Sequence, residues 1–346
     1  MKYSDAGVDV DKADEAMKSI KGMVKSTFNK QVLADFGSFG GLFSLQGLAY
    51  KEPVLVASTD GVGTKLRIGI SIGDYKSPGQ DIVNHCVDDI LVQGAKPLFF
   101  LDYFATGKLQ PPVLEGVISG LSLACRENGC VLLGGETAEM PGIYHGDDFD
   151  LAGTIVGIVE KDHLITGSSI QAGDQVLALF SSGLHTNGYS LARKVLLEKA
   201  KYDLNAVYPG LPGTLGSVLA KPHRSYLRVI EGLIPQKLIQ GMVHITGGGF
   251  QGNIPRILPK DLVCNIKLNS WTPPEIFSLI QREGEVDPLE MLRTFNMGIG
   301  LLLVVHPQDA ALVKAHLNSL SEPFVEIGNI AQQASSGQSQ VVFLDD

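Results

Sequence analysis

The sequence predicts an α/β (α+β) chain of two domains, on three observations. Its 346 residues make two domains at roughly 100–200 residues each, with one large α/β domain as the alternative on length alone. Short apolar runs alternate with longer segments of helical period. Four of the apolar runs end in glycine clusters that carry polar or charged residues, and ligands of open α/β sheets sit beyond strand ends.

The elements follow in order. Residues 11–28 place Ala13, Met17, Ile20, Val24 and Phe28 at near-helical spacing, with Lys21 and Lys25 four apart on one face. Phe36-Gly-Ser-Phe-Gly-Gly-Leu-Phe43 is a glycine-rich loop. Residues 53–57 are an apolar strand that runs into Ser58-Thr-Asp-Gly-Val-Gly-Thr-Lys65, read as a phosphate turn. A helix at 79–94 turns Ile82, Val83, Cys86, Val87 and Ile90 inward, and a strand covers 98–103. Residues 112–128 repeat apolar residues at Val113, Val117, Leu121, Ala124 and Cys125, and Gly129 stops that helix. Residues 131–133 are a buried strand ending in Gly134-Gly135-Glu136-Thr137, and 151–159 are another.

The polar, turn-rich stretch 165–173 sets the boundary, giving domains at 1–166 and 167–346. The second half opens with a strand at 176–180, the loop Ser181-Ser-Gly-Leu-His-Thr-Asn-Gly188 and a helix at 189–200. A strand at 243–245 leads into Thr246-Gly247-Gly248-Gly249, followed by a helix at 253–257 with Pro255 in its first turn. Residues 297–305 are a buried strand, and 332–340 are a polar loop.

Bulk properties exclude several classes. A net charge of −9 argues against a nucleic-acid or membrane-surface binder, because those carry a broad positive field. No apolar run reaches the roughly 18–20 residues that span a bilayer, and the N-terminus lacks a signal-peptide core. The four cysteines show no Cys-x-x-Cys spacing and read as reduced cytosolic thiols. A cytoplasmic enzyme is the expectation. No Gly-x-Gly-x-x-Gly follows an N-terminal strand, which disfavours an NAD-dependent oxidoreductase. Asp60-Gly-Val-Gly-Thr-Lys65 is not a P-loop, whose Gly-Lys-Ser/Thr order it lacks.

What remains is a polyanion site. Each glycine cluster alone is as readily a tight turn, but four with the same grammar favour phosphates approached by backbone N–H groups. Asp60, Asp81, Asp88, Asp89 and Glu136 are carboxylates in or near these segments. Mg²⁺ takes hard oxygen ligands from a few carboxylates plus nucleotide phosphates, while a lone helix aspartate is more often solvated. Lys21, Lys65 and Arg67 are the nearest cations. His185 in its glycine-rich loop is an acid, base or charge stabiliser, or else a hydrogen-bonded loop histidine. His145 and His244 carry less weight.

Eight segments together resemble one family. They are Tyr3-Ser-Asp-Ala-Gly-Val-Asp9, Pro53-Val-Leu-Val-Ala-Ser-Thr-Asp-Gly-Val-Gly-Thr-Lys65, Leu91-Val-Gln-Gly-Ala-Lys-Pro-Leu-Phe-Phe-Leu-Asp-Tyr103, Gly134-Gly-Glu-Thr-Ala-Glu-Met-Pro-Gly-Ile-Tyr144, Ser181-Ser-Gly-Leu-His-Thr-Asn-Gly-Tyr-Ser-Leu-Ala-Arg-Lys194, His244-Ile-Thr-Gly-Gly-Gly-Phe250, Asn253-Ile-Pro-Arg-Ile-Leu-Pro259 and Arg293-Thr-Phe-Asn-Met-Gly-Ile-Gly300. The chain resembles the phosphoribosylformylglycinamidine cyclo-ligases, also called aminoimidazole ribonucleotide synthetases, of purine biosynthesis.

The resemblance implies a homodimer whose N-terminal sheets pair into a barrel across the interface. It also implies ATP, Mg²⁺ and often K⁺, and formylglycinamidine ribonucleotide as the substrate closed to 5-aminoimidazole ribonucleotide. By position it implies Asp60 and Asp89 as metal ligands, with Asp81 and Glu136 behind them. Lys21, Gly61, Gly63, Thr64 and Lys65 would contact the nucleotide, with the 37–41 loop, including Gly40, above it. His185, Asn187 and Gly247, Gly248 and Gly249 would face the substrate or its ribose phosphate. Asp60, Lys65 and His185 would carry the chemistry. The family often has Asn-Asp where this chain has Asp88-Asp89, so either aspartate is open as the ligand. Rival readings are a thiamine-phosphate kinase, a selenophosphate synthetase or a hydrogenase maturation factor of the same superfamily, and a nucleotide-binding regulator without turnover.

Overall fold

The computed structural model describes residues 10–333 and 340–345, with side chains from residue 14 onward. The segment Tyr3 to Asp9, the Ala13 side chain and most of the polar tract at 332–340 therefore lie outside the described residues. The chain divides into two compact units, one of Met1–Ile90 and Ala95–Glu160, the other of Leu91–Gly94 and Lys161–Asp346.

The first unit contains α1 (Val10–Lys25), β1 (Pro53–Gly61), α2 (Leu66–Ile72), α3 (Lys76–Leu91), β2 (Lys96–Thr106), α4 (Pro111–Glu127), β3 (Val131–Glu139) and β4 (Phe149–Glu160). Its four strands run in the order β1-β4-β2-β3. β4 pairs antiparallel with β1 and β2, and β3 is a parallel edge next to β2. The expected inward residues of α3 and α4 are all buried. The two helices approach closely at glycines. A Cβ on Gly79 would collide with the Val117 carbonyl, and one on Gly120 with the Lys76 carbonyl. Gly129 stops α4 in the left-handed region (φ 67°).

Two glycine clusters expected as turns are strand instead. β1 continues through Asp60 and Gly61 because β4 keeps pairing with it, Asp60 opposite Gly153 and Gly61 opposite Ala152. β3 likewise continues through Gly134, Gly135 and Glu136 alongside β2. Here glycine answers to side-chain crowding, since a Cβ on Gly135 would collide with the Asp102 carboxylate. The turn falls later. Gly63 (φ 68°) opens a short 3₁₀ turn, Gly63–Lys65, that runs directly into α2.

Cross-strand register lines up Asp60, Gly153, Asp102 and Gly135 in one row. The next row, on the opposite face, holds Gly61, Ala152, Tyr103 and Glu136. The Asp60 row faces the helices. The opposite face leaves Leu55 58% exposed and Tyr103 37% exposed.

The second unit contains β5 (Gln175–Phe180), α5 (Tyr189–Arg193), α6 (Leu215–Leu219), α7 (Leu227–Ile230), β6 (Gly241–His244), α8 (Gly249–Asn253), β7 (Leu262–Lys267), α9 (Glu275–Gly284), α10 (Pro288–Thr294), β8 (Ile299–Val305), α11 (Ala310–Ser319), β9 (Phe324–Gln332) and β10 (Val341–Leu344). The six strands run β10-β7-β9-β5-β8-β6, antiparallel except for the β10/β7 pair. All seven residues of β8 are buried, as an all-apolar central strand should be.

The helix expected at 189–200 is α5 followed by a π-helical stretch, Lys194–Lys199, in which the Ala200 N–H reaches Val195 O. The helix expected at 253–257 starts earlier, at Gly249 inside the glycine cluster, and tightens to 3₁₀ over Ile254–Arg256. Here the two remaining clusters, Ser182-Gly183 and Gly247–249, do lie beyond strand ends.

Candidate active site

Asp60 ends the helix-facing row of β1, and α3 passes over it. His85 and Asp89 are four apart, so they share one face of α3. His85 Nε2 donates to Asp60 Oδ2 at 2.9 Å and stands 3.7 Å from Asp89 Oδ2. Ser58 Oγ donates to the same Asp89 oxygen at 3.0 Å. The Asp60, His85 and Asp89 ligand atoms all lie within 4.8 Å of one another. Asp88, by contrast, is fully buried. Of the two adjacent aspartates, Asp89 is the one beside Asp60.

Burial would push His85 down. The hydrogen bond to Asp60 and the fields of Asp89, Asp60 and Asp81 outweigh it, so its pKa is raised. Burial likewise pushes Asp60 up, but the His85 hydrogen bond and charge and the Gly61 N–H outweigh it, leaving its pKa lowered. Two neighbouring carboxylates suit a hard divalent cation such as Mg²⁺, and the His85 hydrogen bond orients Asp60.

Lys65 and Asp81 form a separate pair. Lys65 Nζ and Asp81 Oδ1 are 2.8 Å apart at 2% and 0% side-chain exposure. Burial lowers the Lys65 pKa and Asp81 opposes it. As placed, Lys65 meets the Asp81 carboxylate, and the charge of Asp81 is also felt by His85. Arg67 makes a two-pronged pair with Asp148. Gly61, Gly63 and Thr64 are exposed at the strand end and helix start.

A cavity of about 860 Å³ opens at the β3 edge of this unit, walled by α1, by β2 and β3, and by the 34–41 loop. That loop is the tip of a short hairpin. The Leu33 N–H bonds Leu42 O, and the Ser44 N–H bonds Gln31 O. Gly40, Glu136 and Asp102 all line the cavity. Lys21 and Lys25 reach Asp35 on the loop at 3.8 and 3.0 Å. Glu136 sits three strands from Asp60, about 14 Å across the sheet at ~4.8 Å per strand, and on the other face. One ion cannot be shared by both.

In the second unit the 181–188 loop is braced by Asn296, whose side-chain N–H donates to Gly183 O. His185 is buried with a left-handed backbone (φ 61°). Its Nε2 accepts the Ser182 N–H at 3.2 Å, so in the neutral ring the proton sits on Nδ1. Its ring stacks on His223 at 3.9 Å between centroids. His223 Nε2 meets His244 Nε2 at 3.0 Å. Asn187 packs against Gly247, where a Cβ would stand 3.4 Å from its Nδ2. Among the described residues nothing hydrogen-bonds the buried Asn187 Oδ1.

The N-terminal domain model of the AIR synthase related proteins matches residues 48–159, and the C-terminal domain model matches residues 171–338. A phosphoribosylformylglycinamidine cyclo-ligase from Geotalea uraniireducens is 49% identical over 330 residues, covering 95% of each chain. One from Trichlorobacter lovleyi is 46% identical over 342 residues, 99% of this chain and 98% of that one. The chain belongs to the phosphoribosylformylglycinamidine cyclo-ligase family.

The family fold extends to proteins of other chemistry. Hydrogenase maturation protein HypE in complex with ATP superposes with a TM-score of 0.67 at 19% identity, covering 96% of this chain and 90% of that one. Thiamine-monophosphate kinase from Stenotrophomonas maltophilia gives 0.67 at 18% identity, covering 96% of both.

Against this family background the structure brings Asp60 together with Asp89, Gly40 together with Glu136, and Asn187 together with Gly247–249. It pairs Lys65 with Asp81, whose charge also acts on His85 of the first group. Three residues were missed by sequence reasoning. His85 reads as a core histidine on an apolar helix face, though its four-residue spacing to Asp81 and Asp89 was a signal. Asp102 shares the buried face of its strand with Phe100 and Phe104. His223 has no motif around it.

Proposed function

We propose that this cyclo-ligase family member closes the imidazole ring of formylglycinamidine ribonucleotide, consuming ATP and releasing 5-aminoimidazole ribonucleotide, ADP and phosphate. The observation that carries the reading is the Asp60–His85–Asp89 cluster beside the exposed Gly63–Thr64 helix start, in a chain nearly half identical to cyclo-ligases from end to end. An amide oxygen is a poor leaving group. The γ-phosphoryl group passes from ATP to the formyl oxygen. The ribose-bearing amidine nitrogen then attacks the formyl carbon, phosphate leaves and a proton is lost.

Positioning and charge neutralisation are what such a phosphoryl transfer needs from the protein. Asp60 and Asp89 would hold Mg²⁺, which when bound neutralises the transferring phosphoryl group. His85 orients Asp60, and Ser58 orients Asp89. The backbone N–H groups of Gly61, Gly63 and Thr64 meet phosphate oxygens, and the Gly40 loop with Lys21 closes over the nucleotide. Lys65 and Asp81 hold the helix start in place. Glu136 serves the nucleotide from the cavity wall. His185, with its proton on Nδ1, acts as a donor toward developing charge, and Asn187 with Gly247–249 receives the ribose phosphate.

The deciding assay follows ADP and the aromatic amine in one tube, with and without K⁺. One ADP per aminoimidazole ribonucleotide supports the reading. ADP without amine would transfer it to a kinase, and neither product with ATP bound would leave a regulator. His185→Ala should slow product formation roughly 100-fold with little change in ATP affinity. His185→Asn, which tolerates the same left-handed backbone, should do likewise. Wild-type rates in both would remove His185 from the mechanism.

The same proposal includes a homodimer through the open face of the four-stranded sheet. Leu55→Asp, at an exposed apolar position on that face, should shift the dimer to monomer by light scattering at micromolar protein. An unchanged dimer would place the interface elsewhere. Among the described residues no helix is long and apolar enough to cross a membrane. Phosphorylated substrates stay inside the membrane that bounds the cytoplasm, and the proposal places the enzyme with them.

A further inference from the structure

We infer that His223 is a positioning residue for ring closure, acting through His185: its anchored ring holds the His185 imidazole by stacking and ties the 181–188 loop to the end of β6. The inference rests on the reading of His185 as a donor toward developing charge and deepens it. His185 carries a left-handed backbone (φ 61°), and such a conformation at a non-glycine residue persists only where its surroundings over-determine it. The Ser182 N–H fixes the tautomer of His185. A donor also needs its ring plane fixed, and His223 supplies that plane. The two rings stack with centroids 3.9 Å apart and 25° between planes. The His185 ring also reaches β8 at Gly300, where a Cβ would stand 2.7 Å from His185 Cε1.

His223 is itself held at both ring nitrogens. It is buried, its Nδ1 lies 3.3 Å from Thr186 Oγ1, and its Nε2 lies 3.0 Å from His244 Nε2. A neutral imidazole has one N–H and one bare nitrogen, whereas a hydroxyl both donates and accepts. Either tautomer of His223 therefore satisfies both contacts, with one proton between the two histidines. Two bonds from different corners of the ring stop it turning, which a phenyl ring in the same place could not match. Thr186 follows His185 directly, and His244 ends β6 just before Thr246-Gly247-Gly248-Gly249. The backbone around His223 is fastened to the same loop. Ser182 Oγ donates to Pro222 O at 2.6 Å, and Tyr226 OH donates to Phe180 O at 2.9 Å.

The test is a double-mutant cycle on kcat, read as aminoimidazole ribonucleotide formed by the full chain. His223→Phe keeps a flat ring and removes both hydrogen bonds. It should lower kcat about tenfold or more with the KM for ATP unchanged. In the His185→Ala background the same change should have little further effect, because a residue that acts through His185 then has nothing left to position. A purely structural role would lower kcat by the same factor in both backgrounds, and that outcome overturns the inference. A wild-type kcat in His223→Phe overturns it too. If His223→Phe does not fold, His244→Phe, which removes only the far hydrogen bond, takes its place in the cycle with the same expected non-additivity. A wild-type rate in His185→Ala overturns the His185 reading and this inference with it. A slow His185→Ala beside a normal His223→Phe overturns this inference alone.

Discussion

Asp60→Asn lowers kcat at least about 100-fold while the protein stays folded. The side chain is 43% exposed, so the change neither opens a cavity nor buries an unpaired charge. Asparagine Oδ1 still accepts from His85. What disappears is one of two negative oxygens facing the place where a divalent cation would sit, so the residual activity should need more Mg²⁺. Measurement of kcat over a Mg²⁺ titration, beside a thermal melt, separates the possibilities. A near-normal kcat would show that Asp60 is not a metal ligand. A melt lowered by many degrees would show that it is structural.

Lys65→Met destabilises the protein by about 3–5 kcal/mol. The reason is what remains. Asp81, at 0% exposure and 2.8 Å from Lys65 Nζ, keeps its carboxylate inside the unit after the cation is gone. Replacing both partners, Lys65→Met with Asp81→Leu, removes the buried charge as well and should recover most of the loss. Chemical denaturation of the wild type and the three variants, Asp81→Leu alone included, yields the coupling energy directly. A single variant within about 1 kcal/mol of wild type would mean the pair contributes little to stability. Lys65 would then return as a cation held ready for phosphate.

Helix positions were legible because the signal lies within each element. The inward residues of α3 and α4, the glycine that stops α4 and the apolar run of β8 all follow from local periodicity and turn chemistry. Strand lengths were not. Ser58-Thr-Asp-Gly reads as a turn by composition, yet β4 offers an unbroken row of backbone partners and the strand runs on to Gly61. Gly135 looked like a phosphate contact, but its lack of a side chain makes room for Asp102 one strand away.

The candidate site divides in the same way. Order along the chain and residue type alone determined the family, the acids, the glycine clusters and the reaction expected of them. Only the tertiary structure decided which acids stand together. Asp60 and Asp89 are 29 positions apart, joined by His85 because α3 crosses the end of β1. Asp81, on the same helix, pairs with Lys65. Asp102 came to line an apolar cavity only because its strand and its glycine neighbour placed it there. Periodicity acts over a few residues and can be read locally, whereas the meeting of charges depends on cross-strand register and burial, which no local pattern specifies.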